Sequence, residues 1–280
     1  MHIQTIQTIP VGPAAREVHY YRAGSGTPLL YLHHFLGLAG FEPALELLAE
    51  SFDVIAPYAP GWGPAKDQLP DFDKGPLDLT LHQCDILDAL GLDSLHVVGV
   101  SIGAWMAAEL AAIAPQRVDR LVLVNPLGLW LDDVGGEDPF AQHPGFPSAV
   151  LFADPDGRDK HLFEGHDKMD AHVDELMSLR ASAKFLWPIP DTGIKRRLPR
   201  IKAPTLVATS DKDVVVPEAY GPAWQAAIGG AQLTTLHDAG HLAELDQPGA
   251  FARLVSEFLG HDRRRAHDGH CPNEASRCWG

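Results

Sequence analysis

The stretch Leu95-His96-Val97-Val98-Gly99-Val100-Ser101-Ile102-Gly103 decides the fold. Leu95–Val100 is an apolar run without alternation, which reads as a strand buried on both faces. Ala104–Ala114 behind it is rich in Ala and Leu and stops at Pro115, as helices tend to. Between the two lies a G-x-S-x-G pattern, Gly99 to Gly103, in the strand–turn–helix setting it requires. The pattern alone is a moderate signal, since Gly fills 26 of 280 positions. The setting sharpens it. A serine on such a turn sits on a strained backbone between small neighbours, with the amide end of a helix behind it favouring developing negative charge.

Outward from this point the same rhythm repeats. Ile3–Ile9 and Glu17–Arg22 read as leading strands about the turn Val11-Gly12-Pro13. Leu29–His33, Asp53–Ala56 and Leu121–Val124 are further buried strands, and Phe41–Glu50 and Leu79–Leu90 carry apolar residues at helical spacing. Short apolar runs alternating with helices are the signature of a mostly parallel central sheet flanked by helices, an α/β fold. From Pro126 to about Arg200 the rhythm breaks. Gly and Pro recur there, helical stretches fall near His161–Lys184, and no apolar strand stands out. This segment, 126–200, is expected to be an inserted helical cap on a core formed by 1–125 and 201–260. Strands resume at Thr205–Thr209 and Gln232–Leu236, and a helix at Pro248–Leu259 closes the core. Residues 261–280 read as a disordered tail.

A serine hydroxyl is a weak nucleophile and needs a base that is itself oriented by an acid. Ala239-Gly240-His241 follows the strand at Gln232–Leu236, and Gly240 gives His241 a tight loop, so His241 is preferred to its neighbour His237 among the 15 histidines. Asp211 and Asp213 both lie just past Thr205–Thr209, at the carboxyl end of a strand, where such sheets place their chemistry. Either aspartate can serve, and the chain order Ser–Asp–His holds for both.

Composition narrows the classes. The chain has 22 Lys+Arg against 37 Asp+Glu, a formal net charge of −15, which repels phosphate backbones and anionic lipid. No nucleic-acid or membrane partner is expected, and the acidity reads as a solubility feature. No run approaches the ~20 apolar residues of a membrane span, and Met1–Thr5 shows no secretory pattern. Three cysteines, Cys84, Cys271 and Cys278, are no disulfide framework and fit a cytoplasmic location. Cys271 and Cys278 share the tail with His261, His267 and His270, in a spacing that matches no metal-ligand pattern. Neither metal nor organic cofactor is expected. The expected partner is a small-molecule substrate, bound by a monomer or a homodimer.

These motifs together resemble the α/β-hydrolase superfamily, in its cap-bearing branch with esterases and carbon–carbon bond hydrolases. Leu32-His33-His34-Phe35-Leu36-Gly37 is similar to the family's His-Gly stretch after the third strand. The segment Pro57 to Pro60-Gly61-Trp62-Gly63 is similar to its Pro-Gly-x-Gly loop. Asp213 with Pro217, and Gly240-His241 before Glu244 and Pro248, resemble the acid and base segments, which makes Asp213 the implied acid. The resemblance also implies an oxyanion hole from the backbone N–H groups of Phe35 and Ile102, worth about 3 kcal/mol each. His34 stands where the family usually has Gly, and reads either as a substrate contact or as a surface substitution.

The serine nucleophile separates the chain from dehalogenases and epoxide hydrolases of this fold, which use a carboxylate. It implies ester hydrolysis through an acyl-enzyme. The alternatives are cleavage of a carbon–carbon bond in vinylogous diketones, or a ligand-binding protein on the same scaffold. Family members of the diketone type usually carry an aromatic residue after the base, where this chain has Leu242. In the cap, Phe140, Phe146, Phe152, Phe163, Phe185, Leu186 and Trp187 supply apolar surface for a pocket. Trp187, Leu242 and His34 are its candidate substrate contacts. The basic run Ile194–Arg200 reads as a solvated face, or as a holder for a substrate carboxylate.

Overall fold

The computed structural model describes residues 5–73, 75–141, 148–154, 168–187 and 191–260. The sheet has eight strands, and the runs without alternation form its inner ones. The strands are β1 (Gln7–Val11), β2 (Arg16–Gly24), β3 (Thr27–Leu32), β4 (Phe52–Pro57), β5 (Leu95–Val100), β6 (Val118–Val124), β7 (Thr205–Ser210) and β8 (Gln232–Leu236). Their order is β1-β2-β4-β3-β5-β6-β7-β8. β2 runs antiparallel to β1 and β4, and every other pairing is parallel. This is the α/β-hydrolase fold.

Helices cover both faces: α1 (Pro43–Ala49), α2 (Pro76–Ala89), α3 (Ile102–Ile113), α4 (Ser148–Leu151), α5 (Lys168–Leu186), α6 (Tyr220–Ala227), α7 (Ala243–Asp246) and α8 (Pro248–Gly260). Pro stands in the first turn of α1 and α2, where its missing N–H costs nothing. α3 is buried all round from Ile102 to Ala112. A helix that is apolar on every side must be covered on every side. The sheet covers one side and the segment leading into β7 covers another. There Arg197 forms a two-pronged pair with the buried carboxylate of Glu109, and the Arg200 guanidinium donates to the Ala112 carbonyl. Lys195 and Arg196 are exposed, as a solvated face requires.

Some element boundaries differ from the expectation. The first strand begins at Gln7, with Ile3 and Gln4 outside the described residues, as are 261–280, Phe146 and Phe163. Gly63–Asp71 forms 3₁₀ turns that no periodicity announced. Prolines at 64 and 70 interrupt any α pattern, and such turns need no apolar repeat.

The glycines of the central motif are steric necessities. A Cβ on Gly103 stands 2.1 Å from the Leu32 carbonyl oxygen and 2.4 Å from that of His33. One on Gly99 stands 2.3 Å from the Gly103 carbonyl oxygen. Backbone cannot retreat as a side chain does. Gly103→Ala is therefore expected to lower the unfolding free energy by about 3 kcal/mol or more, measured by urea unfolding. Gly249→Ala, in α8 with open space around it, is the control and changes it by less than about 1 kcal/mol.

Candidate active site

β5 delivers Ser101 at the mouth of α3 with φ 60 and ψ −122, a left-handed conformation held by Ser101 N–H donating to the Val124 carbonyl at 2.9 Å. Its Oγ lies 2.7 Å from His241 Nε2. His241 Nδ1 lies 2.8 Å from Asp213 Oδ2, and the other oxygen, Oδ1, accepts from the N–H groups of Val215 (2.8 Å) and Val216 (2.9 Å). Ser101 and His241 are fully buried and Asp213 nearly so. The competing pair is joined elsewhere. His237 and Asp211 bond each other at 3.0 Å on the exposed side. So the geometry resolves both sequence ambiguities: Ser101, His241 and Asp213 form one line, and His237 with Asp211 form another.

The histidine turn is held from below. Asn125, at the end of β6 with φ 46, donates from Nδ2 to Ser210 Oγ (2.9 Å) and to the carbonyls of Gly240 (3.1 Å) and His241 (2.9 Å). Asp246 Oδ2 accepts from Gly240 N–H (2.7 Å) and Ala153 N–H (2.9 Å). Asn tolerates the left-handed region better than most residues, which suits it to this position. Sequence reading passed over Asn125, because a polar residue after a strand is ordinary. Asn125→Ala frees two buried carbonyls and loosens His241. The expected result is a kcat lower by roughly 10–100-fold, read by steady-state kinetics alongside thermal unfolding.

The two expected oxyanion donors are the backbone N–H groups of Phe35 and Ile102. Ile102 is the first residue of α3, and neither its N–H nor that of Phe35 has an acceptor among the described residues. The Phe35 loop is stitched on its far side. Its carbonyl accepts from Trp62 Nε1 (3.0 Å) and Ser182 Oγ (3.2 Å), and the Leu36 carbonyl accepts from Ser178 Oγ (2.8 Å). α5 thus clips onto the loop through two serines that the sequence reading did not single out. The Phe35 ring packs on Phe140 at 5.3 Å between centroids.

His34 corrects the idea of a surface substitution, for it is 1% exposed. Its Nδ1 accepts from Leu36 N–H at 3.2 Å, and its Nε2 faces Glu42 Oε1 at 3.4 Å and Glu244 Oε1 at 3.8 Å. Tyr31 donates its hydroxyl to Glu244 Oε1 at 3.2 Å. Burial pushes the Glu244 carboxyl up to about 7, with Glu42 adding to the rise. Burial opposes the His34 imidazolium, yet Glu244 and Glu42 outweigh it and raise that group as well. Both groups therefore hold protons more tightly folded than unfolded, and their contribution to stability is lost as pH rises through their folded values. For Glu244 the loss falls between about pH 4.5 and 7. Glu244→Gln is expected to flatten this part of the profile, by at most roughly 3 kcal/mol, in urea unfolding across pH.

A cavity of about 150 Å³ lies beside the acid segment. Leu127, Leu129, Phe140, Leu186 and Val216 line it, and its charged lining residues, Glu137 and Asp138, are acidic. Leu127 N–H reaches the Ser101 carbonyl at 3.4 Å, so one lining residue adjoins the nucleophile turn. None of the three candidate substrate contacts lines it. Trp187 is about half exposed and touches Phe140 edge-on, at 5.8 Å between centroids. Leu242 is buried, with its N–H on the Leu151 carbonyl at 3.1 Å. Phe152 and Phe185 are buried in the core.

Residues 23–254 match the alpha/beta hydrolase family. A 2-hydroxy-6-oxononadienedioate/2-hydroxy-6-oxononatrienedioate hydrolase of Pseudomonas putida is 30% identical over 275 residues, covering 88% of this chain and 92% of that protein. Among solved structures, a bacterial membrane phospholipase A superposes with a TM-score of 0.75 at 20% identity, covering 93% of this chain and 87% of the other. A meta-cleavage product hydrolase from Pseudomonas fluorescens superposes with a TM-score of 0.72 at 22% identity, covering 91% and 97%. Among the described residues no helix is long and apolar enough to cross a membrane.

Proposed function

The chain belongs to the alpha/beta hydrolase family, and from that premise we propose that it cleaves a carboxylic ester of a small, largely apolar substrate through an acyl-enzyme. The observation that carries this reading is the unbroken line Ser101 Oγ–His241 Nε2, His241 Nδ1–Asp213 Oδ2. His241 Nε2 takes the serine proton as Oγ attacks the ester carbonyl, and the oxygen that becomes negative turns toward the N–H groups of Phe35 and Ile102. The proton then passes to the leaving alkoxide, giving an alcohol and an acyl group on Ser101. Water, deprotonated by His241, attacks that acyl group, and the proton returns to Ser101 as the acid leaves. Asp213 keeps the proton of the ring on Nδ1 throughout.

The cavity speaks to the substrate. A space of about 150 Å³ with mainly apolar walls suits a small group, of the order of a benzene ring. Glu137 and Asp138 at its wall repel a carboxylate, and among the described residues no Lys or Arg lines it. This favours a neutral ester over a dianionic substrate.

Carbon–carbon bond cleavage is the second reading, and the name of the Pseudomonas putida relative is the observation in its favour. Leu242, in place of the usual aromatic residue, and the acidic cavity wall count against it. Hydrolysis of p-nitrophenyl esters of graded acyl length, beside a vinylogous diketone, decides. Turnover that peaks at short acyl chains supports the ester reading. Faster turnover of the diketone replaces it with the second. Saturable binding without product makes the chain a ligand-binding protein.

A further inference from the structure

The site leaves a second group of polar side chains unexplained. Beneath the Phe35 loop, Glu42, Glu244 and His34 converge from three elements: the residue before α1, the helix α7, and the loop after β3. All three are buried, between 0% and 6% exposed. Both oxygens of Glu42, Oε2 of Glu244 and Nε2 of His34 lack a hydrogen-bond partner among the described residues. Buried carboxylates without partners cost several kcal/mol, so the group is not filler. Its other polar neighbours are Tyr31, whose hydroxyl goes to Glu244, and Tyr58, whose hydroxyl goes to the Leu38 carbonyl. His33 is the remaining titratable neighbour. Burial pushes it down to about 4, so it is a neutral ring that accepts from Ala59 N–H and donates from Nδ1 to the His34 carbonyl.

Two ligands suit such a cluster, a divalent cation or a proton. The three ligand atoms lie within 4.8 Å of one another, close enough for a cation. The tautomer decides against it. Nδ1 of His34 accepts from Leu36 N–H, so the ring's proton is on Nε2, the atom that faces both carboxylates. An N–H cannot ligate a metal, but it donates to a carboxylate.

We propose that His34, Glu42 and Glu244 form a buried proton-holding clamp that fixes the Phe35 N–H in place and ties it to the turn carrying His241. His34 is a positioning residue. It never meets substrate, and it acts through the loop whose Leu36 N–H it accepts and whose Gly37 N–H bonds its carbonyl at 3.0 Å. Glu244 stands three residues after His241, so the same cluster registers the base against the oxyanion donor. With Glu244 holding a proton, the Nε2–H of the neutral His34 ring faces a single charged carboxylate, Glu42. This inference rests on the ester-hydrolase reading for its role in turnover, though not for the existence of the clamp.

The test is kcat and KM on a short aryl ester for the parent and for His34→Ala, His34→Gln, Glu42→Gln and the His34→Ala/Glu42→Gln double variant. His34→Ala is expected to lower kcat by roughly 10–100-fold with KM within about threefold, since a misplaced oxyanion donor harms the transition state selectively. Glu42→Gln behaves alike, and the double variant is no slower than His34→Ala, as one coupled device requires. His34→Gln keeps an acceptor for Leu36 and a donor for Glu42, and recovers part of the rate. In the parent, ¹⁵N spectra of His34 show the proton on Nε2. His34→Ala within threefold of the parent in kcat, or fully additive losses, overturns the clamp. So does zinc held stoichiometrically on His34 Nε2 after dialysis against zinc. If the parent turns over no ester, the functional reading fails alone. The rate at which a fluorophosphonate labels Ser101, compared across the same variants, then reads the clamp.

Discussion

Ser101→Ala is expected to lower kcat for ester hydrolysis by about 10⁶-fold while leaving KM and stability near those of the parent. The size follows from what the substitution removes. Without Oγ no acyl-enzyme forms, His241 has no proton to take, and the whole line of hydrogen bonds loses its acting end. What survives is water attack assisted by the proposed oxyanion donors, the N–H groups of Phe35 and Ile102, which keeps a residual ~10³–10⁴-fold over the uncatalysed reaction. The fold should tolerate the change. Ser101 sits at φ 60, where Ala is strained much as Ser is, and the side-chain bond that is lost leads only to His241.

The second large effect is Asp213→Asn, expected to lower kcat by about 10⁴-fold with the protein folded as before. The reason lies in the far side of the carboxylate. Oδ1 is occupied by two donors, Val215 N–H and Val216 N–H. An amide at this position must put its oxygen there and turn its NH₂ toward His241 Nδ1. The ring then carries its proton on Nε2, facing Ser101, and can no longer accept the serine proton. Asp211→Asn is the matched control. Asp211 bonds the exposed His237 and lies off the line, so kcat should stay within about twofold. Steady-state kinetics on one aryl ester measures both.

The legible and illegible parts of this protein divide along physical lines. β5, Ser101 and α3 were legible because burial on both faces leaves an unbroken apolar run and because the turn admits only Gly at 99 and 103. Asp213 and His241 were placed by chain order and resemblance, while spacing alone left Asp211 and His237 open. Three-dimensional pairing separates them, and no linear pattern encodes it. The clamp was half visible. His34 stood out against the family's Gly, but its partners Glu42 and Glu244 lie 8 and 210 residues away, and only the closing of α7 over α1 brings them together. Asn125, Ser178 and Ser182 left no mark in the sequence, because a lone polar residue at a strand or helix end usually meets water. Trp187, in the apolar part of the cap, and Leu242, directly after the base, do not line the cavity beside the acid segment, whose walls include Leu127, Leu129, Phe140 and Val216.

In the proposed reaction Ser101 carries an acyl group during turnover. Its most direct test is a rapid acid quench of the protein with a short p-nitrophenyl ester, followed by mass analysis of the intact chain and of its peptides. One added acyl group is expected, on the peptide containing Ser101, formed at a rate that matches the burst of p-nitrophenol and absent from Ser101→Ala. An acyl group on another residue, or full turnover by Ser101→Ala, would contradict it.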